Sequence, residues 1–181
     1  MQQVELFKDE HKGQTCAVLG GGVNLPNDLR KIDPVDVLIG VNQHSLILPL
    51  DYLVFRDRDM WPLIKDFRDI KLVTHLNKFN EGHVIHAGIA PPIGYSGGFA
   101  VWLADYMGFD HTYVCGMDQY QDRHDLREYW WEGPQSAKKT MHRHCNTEMG
   151  AWKALLESLR HPERVQFVSG RLKDLKYESH A

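Results

Sequence analysis

The sequence predicts a Rossmann-like α/β domain built on a mostly parallel sheet. Short apolar runs rich in β-branched residues alternate with helix-like stretches, an order typical of parallel sheets. Several of those runs end in glycine or polar residues, as strands do beside a ligand crevice. The length of 181 residues fits one domain. We therefore expect a single domain over 1–181, with five or six strands and helices on both faces.

Six segments are predicted as strands because each is short, apolar and bounded by turn residues. They cover residues 16–19, 35–41, 51–55, 71–75, 111–115 and 165–168. Their near-continuous apolar character indicates strands that are buried on both faces, as in parallel sheets.

Helices are predicted after Asn24, over 61–67, from the glycine-rich segment 94–98 to Gly108, and over 147–160. In the longest of these, Phe99, Leu103 and Met107 recur at helical spacing, and Gly108 is a natural C-terminal stop. Asp105 is expected on the polar face of that helix.

The composition excludes several functional classes. The 21 basic and 24 acidic residues give a net charge of −3, whereas a general nucleic-acid binder needs a basic excess. No apolar run reaches the roughly 18 residues of a membrane helix, and residues 1–15 lack a signal-peptide core. The 3 cysteines form no CxxC pair, which favours a reduced, cytoplasmic protein. A homo-oligomer is compatible with the sequence.

Four predicted strands end in glycine or polar residues. These ends are residues 20–22, 42–43, 56–59 and 116–118, the last of which closes with Asp118. Because the carboxyl ends of parallel strands meet at one edge of a sheet, we expect the four segments to line a common ligand crevice.

Gly20, Gly21 and Gly22 form a candidate phosphate-binding turn. Without Cβ atoms, such residues let backbone N–H groups approach an anion at the start of a helix. The dinucleotide pattern is partial, since Leu25 stands where its third glycine would be, and no GxxxxGK[ST] motif is present. The sequence therefore argues against a P-loop kinase or ATPase, and a tight turn without ligand is the alternative interpretation of the glycines.

Two further segments carry groups suited to a ligand. Ser96 and Gly97 open the long helix, where backbone N–H groups bind a carboxylate or phosphate; Ser96 as a simple helix cap is the alternative. Asn42 and Gln43 supply amide donors and acceptors for a base, a sugar or a carboxylate; their alternative is an ordinary turn.

The polar segment 119–145 is too long for an ordinary connection and is predicted to be a lid or binding loop. His142, His144 and Cys145 resemble part of a metal site, but the other half of a zinc motif is absent, so we expect no metal. A general acid or base fits His142 or His144 better, because imidazole titrates near neutral pH. Solvated loop histidines are the alternative.

In order, these motifs resemble the small bacterial sialyltransferases that modify lipooligosaccharide (glycosyltransferase family 42). The resemblance rests on residues 19–25, 40–43, 95–98, 107–121 and 146–148 and spans roughly 16–171. It implies a nucleotide-sugar donor, with a CMP-sugar as one candidate. It also implies that Asn42 and residues 20–22 contact the nucleotide and that Ser96 lies at the donor carboxylate or phosphate.

The same resemblance assigns the chemistry. Tyr120 and Tyr129 would stabilise the leaving phosphate, and His142 or His144 would deprotonate the acceptor hydroxyl. Tyrosine hydroxyls replace the divalent cation, so no metal is implied. The chain departs from the family at 91–95, where the arginine before Ser-Gly is absent.

The motifs around Ser96 and Asp118 are also similar to a wider Rossmann-like set, the 6-hydroxymethylpterin pyrophosphokinase-like proteins. In that case Asp57 and Asp59 would hold Mg²⁺. The leading hypothesis is thus a metal-independent, sialyltransferase-like glycosyltransferase. The alternatives are a magnesium-dependent phosphotransferase and a nucleotide-binding protein without catalysis.

Overall fold

The computed structural model of the chain describes residues 2–42, 48–56, 58–76, 79, 84–86, 95–118 and 145–175. Within them, one parallel sheet contains eight strands in the order β1-β6-β5-β4-β3-β2-β7-β8. The strands are β1 (Gln2–Gln3), β2 (Thr15–Leu19), β3 (Val37–Val41), β4 (Tyr52–Val54), β5 (Lys71–Thr74), β6 (Val84–His86), β7 (His111–Cys115) and β8 (Val165–Phe167). The predicted parallel α/β architecture is confirmed.

The predicted count of five or six strands is wrong. All six predicted strands are present, but the described residues add β6 and the two-residue β1, which pairs with it through Gln2 opposite Ile85 and Gln3 opposite His86. Seven strands have three residues or more. A two-residue edge strand needs only backbone hydrogen bonds, so two glutamines carry no hydrophobic pattern that could predict it.

Helices lie on both faces of the sheet, as predicted. They are α1 (Leu25–Asp28), α2 (Trp61–Ile64), α3 (Ser96–Met107) and α4 (Cys145–Ser158). Successive strand residues alternate between two cores: Val18 faces the core under α3 and α4, whereas Ala17 and Leu19 face the core under α1 and α2. None of the helices in the described ranges has the length and apolarity to cross a membrane.

Helix α3 forms because its sequence suits burial between the sheet and α4. Phe99, Leu103 and Met107 are fully buried, as the spacing predicts. Gly108 ends the helix in the left-handed conformation at φ 81°, which glycine adopts without steric cost. The apolar positions of α4 are also buried as predicted, although this helix begins at Cys145 rather than at Thr147.

Asp105 does not lie on a polar face, and that expectation is wrong. Its side chain is buried, and its two carboxylate oxygens accept hydrogen bonds of 2.8 Å from the backbone N–H groups of Arg160 and His161. The carboxylate therefore links the chain that leaves α4 to the last turn of α3. Its role is structural.

The strand order places a topological switch point between β2 and β7. The chain runs outward from β2 through β3, β4, β5 and β6, and then crosses by way of α3 to β7 on the other side of β2. Because neighbouring connections diverge there, open α/β sheets bind ligands outside the carboxyl ends of the strands at such a point.

We predict that Asp105→Asn lowers the free energy of unfolding by about 1.5–3 kcal/mol, because an amide supplies one acceptor oxygen where two backbone donors need one each. Urea denaturation checks the value. Asp110→Asn is the matched control: Asp110 is exposed and its oxygen lies 3.6 Å from Arg164, so its loss should cost less than about 1 kcal/mol. Equal effects of the two changes would contradict the structural role of Asp105.

Candidate functional site

The carboxyl ends of the strands bring together those predicted site residues that lie in the described part of the chain. We call this region the carboxyl-edge crevice and define it by residues 20–22 after β2, Asn42 after β3, residues 116–118 after β7, and Ser96 and Gly97 at the start of α3. In the described part of the chain, all four strand-end segments predicted to share an edge follow parallel strands of one sheet. Arg56 follows β4 at the same edge.

The glycine turn at residues 20–22 is interlocked with the turn that follows β7. The N–H of Gly20 donates to the carbonyl of Cys115 at 2.8 Å, and the N–H of Gly22 donates to the carbonyl of Gly116 at 2.8 Å. Two of the three amides are thus bonded to the neighbouring turn. The predicted contact between this turn and a phosphate stays a prediction, and of the three amides it would be made by Gly21.

Absent Cβ atoms let the turns pack this closely. A Cβ at Gly22 would lie 2.6 Å from the carbonyl oxygen of Gly116, which is closer than van der Waals contact permits. The Met117 thioether fills the space between two other glycines: a Cβ would lie 3.0 Å from its sulfur at Gly20 and 2.7 Å from it at Gly97. The close packing of the turns therefore requires glycine at these positions, whether or not a ligand binds there.

Asp118 links the turn after β7 to the start of α1 and to Ser169. It is buried, and its carboxylate accepts hydrogen bonds from the N–H of Asn24 at 2.9 Å and from the Ser169 hydroxyl at 3.4 Å. Burial raises the pKa of Asp118; the hydrogen bond from Asn24 opposes this, and the nearby Asp28 carboxylate adds to it. The residue positions three segments, and its predicted contact with a ligand stays a prediction.

Asp28 and Ser169 extend the hydrogen bonds around Asp118, and neither residue was identified from the sequence. Asp28 is fully buried in α1, where its Oδ2 accepts from the N–H of Gly116 at 3.0 Å and from the Ser169 hydroxyl at 2.7 Å. Lys31 lies 3.8 Å from its other oxygen. Nothing in the pattern of α1 separates this aspartate from a solvated first-turn residue, so only the tertiary structure shows its role.

Asn42 combines a strained backbone with an unsatisfied side chain. Its φ of 52° lies in the left-handed region, which asparagine tolerates better than most residues but which still costs free energy. Its Oδ1 atom is buried and has no hydrogen-bond partner in the described structure. Strain and an unpaired acceptor together are typical of residues positioned for a ligand.

Ser96 lies in the first turn of α3 but does not cap the helix. The N-cap position is Tyr95, and Ser96 itself is only 6% exposed with an Oγ atom that has no partner among the described residues. Gly97 and Gly98, which follow, are buried as well. The hydroxyl and the first-turn N–H groups thus form a buried set of donors at the positive end of a helix dipole.

His75 is a candidate that the strand-end argument should have included. It directly follows β5 at the same edge, and its ring packs edge-on against Phe99 of α3 with centroids 5.7 Å apart. Its Nδ1 atom is buried and lacks a hydrogen-bond partner in the described chain. The signal was its position as the last residue of a predicted strand.

Several predicted site residues lie outside the described residues. These are Gln43, Asp57, Tyr120, Tyr129, His142 and His144, together with the rest of 119–144. Among the residues that are described, no three histidine, cysteine, aspartate or glutamate side chains come together as a metal site would require. Burial raises the pKa of Cys16 and of Cys115 to about 12, so neither thiol is a nucleophile at neutral pH.

The fold is similar to that of the sialyltransferase CstII from Campylobacter jejuni, solved in complex with a substrate analogue, cytidine 5'-monophosphate. The similarity covers 93% of this chain and 86% of that chain, with a TM-score of 0.59 and 12% sequence identity. No protein-family model matches the sequence, and no curated protein matches it. The comparison therefore shows a sialyltransferase-like α/β fold.

We predict that Gly22→Ala lowers the free energy of unfolding by about 1–3 kcal/mol, because the new methyl group overlaps the Gly116 carbonyl and forces the turns apart. Gly150→Ala in α4 is the control, since nothing lies within 4 Å of its Cβ position. This second change should stabilise the helix by about 0.5–1 kcal/mol. Thermal and urea unfolding measure both, and an unchanged stability of Gly22→Ala would refute the interlock.

Proposed function

We propose that this chain is a nucleotide-sugar-dependent, metal-independent glycosyltransferase of the sialyltransferase-like kind. It would transfer a sugar from a nucleotide donor to an acceptor hydroxyl, and a CMP-sugar is the first donor to test. The observation that carries the proposal is the carboxyl-edge crevice, where Asn42 Oδ1 and Ser96 Oγ are buried without partners among the described residues. The similar fold of a sialyltransferase supports it.

Unsatisfied buried polar atoms are evidence for a ligand because they are uncommon and costly. Each one loses its hydrogen bonds to water without replacement, at about 1–3 kcal/mol. Asn42 and Ser96 lie on different elements, the end of β3 and the start of α3, and α3 packs directly against β3. A ligand in the crevice that bonds to both would recover that free energy.

The two groups suit the two ends of a nucleotide donor. Ser96 and the N–H groups of the first turn of α3 can donate to phosphate or carboxylate oxygens, and the helix dipole favours negative charge there. The amide of Asn42 can accept from or donate to a sugar or base. These groups could therefore bind the negatively charged part of the donor without a metal ion.

The transfer step would use residues of the segment after β7. His144 or His142 would take the proton of the acceptor hydroxyl while that oxygen forms a bond to the anomeric carbon. The bond between the anomeric carbon and the phosphate oxygen breaks, and its electron pair leaves with the nucleotide. Hydroxyl groups of Tyr120 and Tyr129 would stabilise the developing charge on that phosphate. These roles come from the resemblance of the sequence.

The proposal predicts that CMP or CMP-sialic acid raises the melting temperature without Mg²⁺. A ligand bound only to the folded state stabilises it by about 2.7 kcal/mol at a hundredfold excess over its Kd. We would compare CMP, UDP, GDP, ATP and CMP-sialic acid, each with and without Mg²⁺. Ser96→Ala should weaken binding of the nucleotide that stabilises most by about tenfold without loss of stability, because its hydroxyl has no hydrogen-bond partner among the described residues to lose.

A matched control is Ser158→Ala, because the Ser158 hydroxyl donates to Leu155 O at 2.7 Å in the last turn of α4 and no proposed ligand group lies there. Its affinity for nucleotide should equal that of the wild type. Binding that requires Mg²⁺ would favour the phosphotransferase alternative, and binding without turnover would favour a non-catalytic protein.

A further prediction addresses the chemical step. His144→Ala or His142→Ala should lower turnover by about 10²–10⁴-fold with little change in nucleotide affinity, as loss of a general base does. Tyr120→Phe should also slow transfer, because it removes a hydroxyl and keeps the ring. Release of CMP from CMP-sialic acid in the presence of acceptor measures the rate. Full activity in all three variants would eliminate this assignment.

A further inference from the structure

His75 differs from the other histidines that the structure describes. His11, His86, His111 and His161 each have a ring nitrogen within 3.3 Å of an oxygen, such as the 2.8 Å contact from His86 Nε2 to the Phe79 carbonyl. His75 instead has a buried Nδ1 without a hydrogen-bond partner in the described chain. A buried ring nitrogen in this state costs stability, so its position needs another explanation.

The surroundings of His75 favour a neutral ring. Burial lowers the pKa of His75, and the positive charge of Arg56 lowers it further. Arg56 follows β4, the strand beside β5, while the contact from α3 is the uncharged ring of Phe99. In the described structure, Arg56 is therefore the charged group that acts on this imidazole.

His75 also lies beside the crevice. Phe99, its ring partner, stands three residues after Ser96 in the first turn of α3. On the other side of that turn, Gly97 packs against Met117 after β7. The first turn of α3 is thus bordered by the β7 end on one side and by the β5 end, with His75, on the other.

We propose that His75 binds a hydroxyl group of the ligand through Nδ1 of its neutral ring. The inference rests on the proposed function and extends the site from the β2, β3 and β7 ends to β5. A hydroxyl group both donates and accepts, so it can pair with Nδ1 in either tautomer of the ring. The positive charge of Arg56 disfavours a cationic group in the same place. The ligand class is therefore the polyhydroxylated part of a nucleotide or nucleotide sugar.

Substitutions of His75 test the inference through two opposite effects. His75→Phe keeps a ring against Phe99 but removes both nitrogens, so affinity should fall about tenfold while the melting temperature stays level or rises. His75→Asn places an amide nitrogen or oxygen near the Nδ1 position and should retain more affinity than His75→Gln, which extends towards Nε2. Titration calorimetry with CMP and with CMP-sialic acid measures these affinities.

The two probes separate the two sources of the hydroxyl group. If His75 binds the ribose, both affinities fall in His75→Phe; if it binds the donor sugar, only that of CMP-sialic acid falls. His86→Phe is the matched control, since His86 is a buried histidine at the next strand end that already bonds to Phe79. This change should lower the melting temperature, the reverse of the effect at His75.

The pH dependence of ligand affinity supplies a readout that a packing role would not produce, and the pH dependence of stability shows that the ring is neutral. Between the ordinary pKa of 6.5 and the lowered pKa of His75, the unfolded chain binds a proton that the folded chain does not. The unfolding free energy of the wild type should therefore fall relative to that of His75→Phe as pH drops below 6.5. Ligand affinity should fall as pH drops through the lowered pKa, because the proposed bond is made by the neutral ring and protonation adds a positive charge beside Arg56.

Distinct results overturn the two proposals. A wild-type chain that binds none of the nucleotides overturns the proposed function, and the inference about His75 falls with it. If the wild type binds and His75→Phe binds equally well, only the inference about His75 is wrong. A His75→Phe variant that is less stable than the wild type in the absence of ligand also overturns it, because the ring would then be structural.

Discussion

The interlock between the turns after β2 and β7 is the constraint on which the rest of the site depends. Two hydrogen bonds continue the pairing of these strands beyond the sheet, from Gly20 to Cys115 and from Gly22 to Gly116. They bring the glycine turn so close to its neighbour that a side chain at Gly22 cannot fit. Asp118 then bonds to Asn24, so the start of α1 is held by the end of β7. The two turns and the start of α1 are therefore held together at the switch point of the sheet.

Most of the buried polar atoms that lack a hydrogen-bond partner in the described structure lie to one side of the interlocked turns. On the β2 and β7 side, Asp28, Asp118 and Ser169 bond to one another and to backbone amides. One further oxygen there, Asp28 Oδ1, has no hydrogen-bond partner in the described structure but lies 3.8 Å from the Lys31 ammonium group. On the side of β3, β5 and α3, Asn42, His75 and Ser96 each keep a buried polar atom without a partner in the described part of the chain. The first group holds the turns together, and the second has capacity for a ligand. A glycine-rich motif thus marks the edge of the sheet that matters, while the ligand contacts we propose lie beside it.

Much of this could be predicted from the sequence because it depends on local pattern. Apolar runs identify six strands, and the spacing of Phe99, Leu103 and Met107 identifies α3. The shared edge follows from parallel topology alone. Asp105 could not be predicted, since its partners are backbone groups about 55 residues away along the chain. The pairing of Asp28 with Ser169 is hidden for the same reason, and β1 owes its existence to β6 rather than to its own residues.

The unsatisfied atoms also limit what the folded chain can tolerate without ligand. An unpaired buried polar group costs about 1–3 kcal/mol, and left-handed backbone at Asn42 adds to that cost. A typical total stability is about 5–15 kcal/mol, so the unpaired atoms of Asn42, His75 and Ser96 together cost a large part of it within one small region. Chain packing alone would favour apolar residues at His75 and Ser96, and the left-handed backbone accounts for an asparagine at position 42 but not for the unpaired Oδ1 of its side chain. Their polar groups are therefore better explained by a ligand that bonds to them, and the interlocked turns after β2 and β7 supply the rigid frame that holds them without it.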